Sequence, residues 1–234
     1  MITHILFDFF GTLVEYSDSR TEQGYKGSHS ALLSYGASLG YIEFLERWSK
    51  TFHNFDLESE ATQDEYSMDD VVSGFLTEVF GPDFPPDLVP VFRDTYLQEW
   101  NKGVNYIEGV PDMLRQLSQR YTLALVTNTH HSELVLSHLR AMQIIDYFSA
   151  IITSVEHGKR KPYASIFQFA LQATGGTSHQ ALYVGDSFTS DYLGANGIGM
   201  RCVLIDPQKK QNLPSEDHIT HILDLWRILD IGKL

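Results

Sequence analysis

Four short segments carry the residue types that chemistry on an anion needs, each at the end of an apolar run. Asp8 closes Ile5-Leu6-Phe7 and is followed by Phe9-Phe10-Gly11-Thr12-Leu13-Val14, so a carboxylate stands at the tip of a buried strand, where the chain turns. An acid desolvated there costs free energy unless a metal or another cation meets it, which makes Asp8 a candidate nucleophile. Taken alone, the segment reads equally well as a strand-end Asp that caps a turn. Three other segments supply partners. Leu123-Ala124-Leu125-Val126 ends in Thr127-Asn128-Thr129, hydroxyl and amide groups able to hold an anion. Gly158-Lys159-Arg160-Lys161-Pro162 sets a cation next to a proline, and Ala181-Leu182-Tyr183-Val184 runs into Gly185-Asp186-Ser187, with Asp191 beyond.

An Asp-x-x-Gly-Thr segment, a strand-end Thr, a Lys and a paired-acid loop, in that order, resemble the haloacid dehalogenase superfamily. The resemblance runs from Ile2 to about the end of the chain. It includes Lys161-Pro162 with Ile166-Phe167, and Val184-Gly185-Asp186-Ser187 followed by Asp191, Gly194-Ala195 and Gly199-Met200. A lone Lys-Pro or Gly-Asp-Ser is a common turn, whereas the ordered set is specific. What the resemblance implies is an α/β protein: a Rossmann-like parallel-sheet core with helices on both faces, plus an all-helical cap that closes over the active site and selects the substrate.

For the site, the resemblance implies Asp8, Thr127, Lys161 and Asp191 as the catalytic set. Mg²⁺ would be held by Asp8, the main-chain carbonyl of Phe10 and Asp186, with Asp191 supporting the loop or a coordinated water. Thr127, Asn128 and the backbone amides of Phe9 and Phe10 would hold phosphate oxygens, while Lys161 bridges Asp8 and the phosphate. Attack of a carboxylate on a phosphate is practical only when positive charge offsets their repulsion, and Mg²⁺ with a few hard oxygen ligands supplies it.

Phe10 departs from the phosphatase pattern, which carries a second aspartate there to protonate the leaving group and then activate water. That role is worth roughly 10²–10⁴-fold, and phenylalanine performs neither part. The resembled 2-haloacid dehalogenases carry an aromatic residue at this place, and their halide leaving group needs no proton. They also work without metal and replace the first acid of the paired-acid loop, whereas Asp186 is retained here; two close carboxylates repel unless a cation lies between them. The cap arginine by which dehalogenases hold a substrate carboxylate has no motif-level match, with Arg20 and Arg47 as the available residues. The leading expectation is a Mg²⁺-dependent phosphohydrolase of a small phosphorylated metabolite. A 2-haloacid dehalogenase and a phosphometabolite-binding protein with vestigial catalysis are the alternatives. His130, His131 and His157 lie near enough in sequence to be proton carriers, but read as loop histidines.

The elements that must position these residues fall into two regions. From Gly109-Val110-Pro111 onward, apolar runs alternate with amphipathic stretches such as Pro111 to Arg120 and Ser132 to Met142, the pattern of repeated βα units. Residues 1–15 and 105–234 are read as the catalytic core. Residues 16–104 carry helical periodicity, with Phe84-Pro85-Pro86-Asp87 as a break, and are read as a helical insertion. Tyr41, Phe44, Trp48, Phe52 and Phe55 fall near helical spacing and read as a packed face rather than a substrate patch. Asp64-Glu65 and Asp69-Asp70 read as a solvated acidic face and a helix start.

Composition fits this picture. The 234 residues are 43% hydrophobic, enough for a sizeable core, and the net charge of −13 argues against a nucleic-acid partner. An anionic substrate therefore needs a local basic pocket. Cys202, the single cysteine, sits in an apolar run and reads as a small core side chain. With no basic-flanked leader and no stretch approaching the ~20 apolar residues of a membrane span, a cytoplasmic monomer or homodimer with no membrane partner is expected.

Overall fold

The computed structural model describes residues 1–17 and 23–231, which fall into two compact units, Met1–Glu15 with Tyr106–Leu234, and Tyr16–Asn105. The first is built on β1 (His4–Phe7), β2 (Thr122–Thr127), β3 (Phe148–Thr153), β4 (Ala181–Gly185), β5 (Arg201–Ile205) and β6 (His218–Ile219). They form one sheet in the order β3-β2-β1-β4-β5-β6, with every neighbouring pair parallel.

The central strands are near-continuous apolar runs because both faces of the sheet are covered. Leu6, Ala124, Val126, Tyr183 and Cys202 pack in one cluster with Ile166, Phe167 and Ala170 of the helix Ala164–Thr174. The alternating residues Ile5, Phe7, Leu125, Val184 and Val203, which point to the opposite face, are just as completely buried. The helix Val110–Ser118 shows why such segments dock: Val110, Met113, Leu114 and Leu117 recur at the spacing of one helical face and are all buried.

Strand order reverses at β1. From β1 the chain builds β2 and β3 on one side, then crosses to build β4, β5 and β6 on the other. A crevice therefore opens at the carboxyl ends of the strands flanking the reversal, where open α/β sheets bind ligands. Asp8 follows β1, Thr127 ends β2 and Asp186 follows β4, so the fold brings these residues to one edge of the sheet.

Among the described residues the second unit contains four α-helices, Lys26–Ser34, Tyr41–Thr62, Met68–Phe80 and Leu88–Trp100, with the Pro85-Pro86 break between the last two. Phe44, Trp48 and Phe52 form a buried face, and the Trp48 ring lies 5.1 Å from Phe75, 5.0 Å from Phe92 and 4.8 Å from Tyr96, centroid to centroid. The aromatic stripe is thus core packing. Ser67 and Asp70 close a reciprocal capping box at the start of Met68–Phe80. Arg47 pairs with Glu43 and Glu78, and Arg20 lies outside the described residues. No helix among the described residues is long and apolar enough to cross a membrane.

Helix Lys26–Ser34 has no side-chain cap from its own N-terminus. Glu99, buried and 71 positions from Ser28, supplies one: its carboxylate accepts from the Gly27 N–H at 2.7 Å, the Ser28 N–H at 2.9 Å and the Ser28 hydroxyl at 2.6 Å. Removing it strands two helix-end donors away from water. Glu99→Ala is expected to lower stability by about 1–3 kcal/mol, read as a shifted urea midpoint, and an unchanged midpoint would show that water replaces the carboxylate freely.

Candidate active site

The turn after β1 is set by local backbone bonds: the Phe9 carbonyl accepts from the N–H groups of Thr12 at 3.2 Å and Leu13 at 2.9 Å. Gly11 in this turn has φ +80°, and a Cβ placed on it would stand 2.3 Å from Asp186 Oδ2. Glycine is required here on both counts. A second close approach holds the other acid, because a Cβ on Gly185 would meet Asp191 Oδ2 at 2.3 Å. The Gly-Thr turn and the Gly-Asp-Ser loop thus admit carboxylates where any larger residue would exclude them.

Asp8, Asp186 and Asp191 each present a carboxylate oxygen within 4.8 Å of the others. Among them lies a buried ammonium. Lys161 Nζ donates to Asp8 Oδ1 at 2.8 Å, Asp191 Oδ1 at 2.6 Å and the Tyr183 hydroxyl at 2.8 Å. Asp191 is fully buried and also accepts from the Ser187 N–H at 2.9 Å, which ties the loop after β4 to the lysine.

Asn128 makes a two-way bond with the lysine's own backbone: Oδ1 accepts from the Lys161 N–H at 2.8 Å, and Nδ2 donates to the Lys161 carbonyl at 3.1 Å. Its side chain fixes the lysine's main chain, a role that residue type alone did not disclose. The Thr127 side chain, by contrast, has no hydrogen bond among the described residues, at the end of β2. Tyr183 is a further residue that sequence reasoning passed over, since in the sequence it is one more large side chain in an apolar strand.

Were all three carboxyls ionised, the Lys161 ammonium would leave two net negative charges in the cluster, and that repulsion together with burial disfavours full ionisation. Burial pushes Asp186 up, Asp8 and Asp191 push it further, and its pKa rises to about 8. Burial also raises Asp191, with Lys161 opposing the shift. For Lys161, burial acts downward, but Asp191 and Asp8 outweigh it and hold the ammonium above its usual value. The surplus of hard, anionic oxygen donors fits a divalent cation such as Mg²⁺, which would cancel the two charges.

Phe10 is half-buried, its ring edge-on to Phe9 at 4.9 Å and to His138 at 6.3 Å. His138 is itself buried, bonded through Nδ1 to the Tyr106 hydroxyl at 2.9 Å, and burial lowers its pKa. Its ring packs against both Phe9 and Phe10, and no spacing signal distinguishes it from the other histidines. His157 is bonded to Ser165 Oγ at 2.8 Å, and His131 stands at the N-cap of Ser132–Ala141. A cleft of about 340 Å³ opens beside Asp186, lined by Gly11, Phe188, Asp206 and Lys210 among others, whereas a larger one of about 870 Å³ lies near Thr3, Tyr121 and Arg201, at the amino ends of the strands.

Residues 5–205 match the family model of haloacid dehalogenase-like hydrolases. A ribulose-1,5-bisphosphate 5-phosphatase of Halopiger xanaduensis is 23% identical over 91% of this chain and 88% of its own length. Among solved structures, a 2-haloacid dehalogenase from Pseudomonas syringae pv. Tomato DC3000 superposes with a TM-score of 0.73 at 20% identity, covering 99% of this chain and 100% of that one. The HAD-hydrolase YfnB from Bacillus subtilis, solved bound to magnesium, gives 0.66 at 19% identity over 98% and 99%.

The raised pKa of Asp186 has a sign that can be measured. A carboxyl whose pKa is higher folded than unfolded contributes most below its unfolded value, 3.8, and that contribution is lost as pH rises through about 8. In chelator, the wild type is expected to lose stability relative to Asp186→Asn across that window, and millimolar Mg²⁺ should flatten the loss. Parallel pH profiles for the two proteins would show that Asp186 carries no such strain.

Proposed function

The chain belongs to the haloacid dehalogenase-like hydrolases, and from that premise we propose that it is a Mg²⁺-dependent phosphohydrolase acting on a small phosphorylated metabolite through an aspartyl-phosphate on Asp8. One observation carries this reading: a carboxylate oxygen of Asp186 stands within 4.8 Å of those of Asp8 and Asp191, while the Lys161 ammonium is bonded to the latter two. Displacement of halide needs no acid at position 186, whereas Mg²⁺ takes hard anionic oxygens such as those of Asp8 and Asp186 as ligands. The full-length similarity to a phosphatase supports the same choice.

In this reading Asp8, the Phe10 carbonyl and Asp186 would hold the metal. Bound there, Mg²⁺ supplies Lewis-acid neutralisation of phosphate charge. The Asp8 carboxylate attacks phosphorus, forming the Asp8–O–P bond as the bond to the leaving oxygen breaks; water then releases phosphate and restores the carboxylate. Thr127 and the amides of Phe9 and Phe10 hold phosphate oxygens. Lys161 orients Asp8 and keeps positive charge on it, Asn128 acts by fixing the lysine's backbone, and Asp191 anchors both the lysine and its own loop. The substrate is a small anion, the working form a monomer or homodimer, and the setting the cytoplasm, with no nucleic-acid or membrane partner.

Phe10 favours a second reading, the 2-haloacid dehalogenase, because an aromatic side chain serves a leaving group that needs no proton. The two are separated by assaying phosphorylated metabolites and 2-haloacids, each with Mg²⁺ and with chelator. Phosphate release that chelator abolishes is the expected result; halide release indifferent to chelator would replace the leading reading with the second.

If the missing acid limits turnover, Phe10→Asp should raise it most for alkyl phosphates, whose leaving groups have high pKa values, by on the order of tenfold or more. Activated aryl phosphates should gain less at the bond-breaking step. A folded Phe10→Asp protein that turns alkyl phosphates over no faster would show that residue 10 is not the limit.

A further inference from the structure

An ammonium has three N–H bonds, and Lys161 commits all three. Two go to Asp8 and Asp191; the third goes to the Tyr183 hydroxyl at 2.8 Å. The phenol's own proton goes to the Val126 carbonyl at 2.7 Å, so the hydroxyl offers the lysine only a lone pair. Tyr183 lies on β4 and Val126 on β2, the strands on either side of β1, so this bond spans the strand that carries Asp8. The ring is wedged edge-on against Phe167 at 5.2 Å and is fully buried.

We propose that Tyr183 is a positioning residue that holds the Lys161 ammonium on Asp8, and that Lys161 therefore acts by orienting and shielding the nucleophile rather than by donating a hydrogen bond to the substrate. The inference rests on the reading of Asp8 as the nucleophile. Lysine is a point charge on a flexible four-carbon stem, and two carboxylates alone leave its third N–H free to swing toward Asp186 or an incoming anion. A neutral acceptor closes that option without adding a further negative charge to a cluster already in surplus. Its proton, committed to the Val126 carbonyl, gives the oxygen a fixed lone-pair direction. To reach a phosphate oxygen, the ammonium would have to give up one of three buried bonds.

Tyr183→Phe keeps the ring and removes the acceptor. Its kcat is expected to fall on the order of tenfold, as for loss of one hydrogen bond to a charged group, with KM changed less than about twofold on that same single-bond basis. The second readout does not depend on activity: the Lys161 ammonium, assigned by its absence in Lys161→Met, should give a slowly exchanging ¹⁵N–¹H signal in the wild type and a faster one in Tyr183→Phe. A role confined to core packing would lower the unfolding midpoint and leave both the ammonium exchange and kcat alone, which would overturn the proposal. Should Tyr183→Phe fail to fold, a ring-fluorinated tyrosine at 183 weakens the acceptor with little change of shape; exchange must then quicken, and unchanged exchange overturns the proposal. A wild type that turns over neither phosphate esters nor haloacids would count against the functional reading alone, with the ammonium signal still deciding the role of Tyr183.

Discussion

One ammonium bonded to two buried carboxylates governs the arrangement of this site. Lys161 Nζ reaches Asp8 and Asp191 with its charge almost wholly out of water, where an unpaired ion is costly and a paired one tolerable only with its remaining donors met. Everything around it meets that condition. Asn128 fixes the lysine's backbone, Tyr183 takes its third proton, and the Ser187 amide completes Asp191. The glycines at 11 and 185 are space left for the acids, since a Cβ at either would overlap a carboxylate oxygen.

The sheet makes this constellation rigid. β1 and β4 are buried on both faces and paired in parallel register, so Asp8 and Asp186 leave neighbouring strands at nearly the same height. Loops after such strands can bring like charges together because the strands, not the loops, bear the cost of holding them. The gathering of three acids at this edge is then a property of the fold, in a chain whose net charge is −13. An anion approaching this edge would meet like charge unless a bound cation offset it.

Much of this could be read in the sequence because strand-end polar residues violate local pattern. Asp8, Thr127, Asp186 and Asp191 stand out against apolar runs, and Lys161 against its proline. Tyr183 could not be read that way: a tyrosine in a buried strand satisfies the pattern, and only the third dimension shows its hydroxyl under the lysine. Asn128 was visible as a polar tip, but its partner is a backbone 33 positions away. Glu99 escaped notice for the same reason, being one acid among many until the helix end it caps is known. The helical face of Phe44, Trp48 and Phe52 was legible because periodicity alone decides burial there. His138 was not, because a buried histidine beside Phe10 is fixed by packing that no spacing encodes.

Asp8, so held as a nucleophile, is expected to become covalently phosphorylated. With phenylalanine at position 10 no side chain there activates water for the second step, so an activated aryl phosphate should react quickly at Asp8 and be released slowly. Rapid acid quench, borohydride reduction and mass analysis of the peptide containing Asp8 test this directly. A burst of the aryl alcohol stoichiometric with enzyme and a reducible acyl-phosphate on Asp8 are the expected results. Simultaneous release of alcohol and phosphate without a burst, and with Asp8 unmodified throughout turnover, would contradict that covalent step.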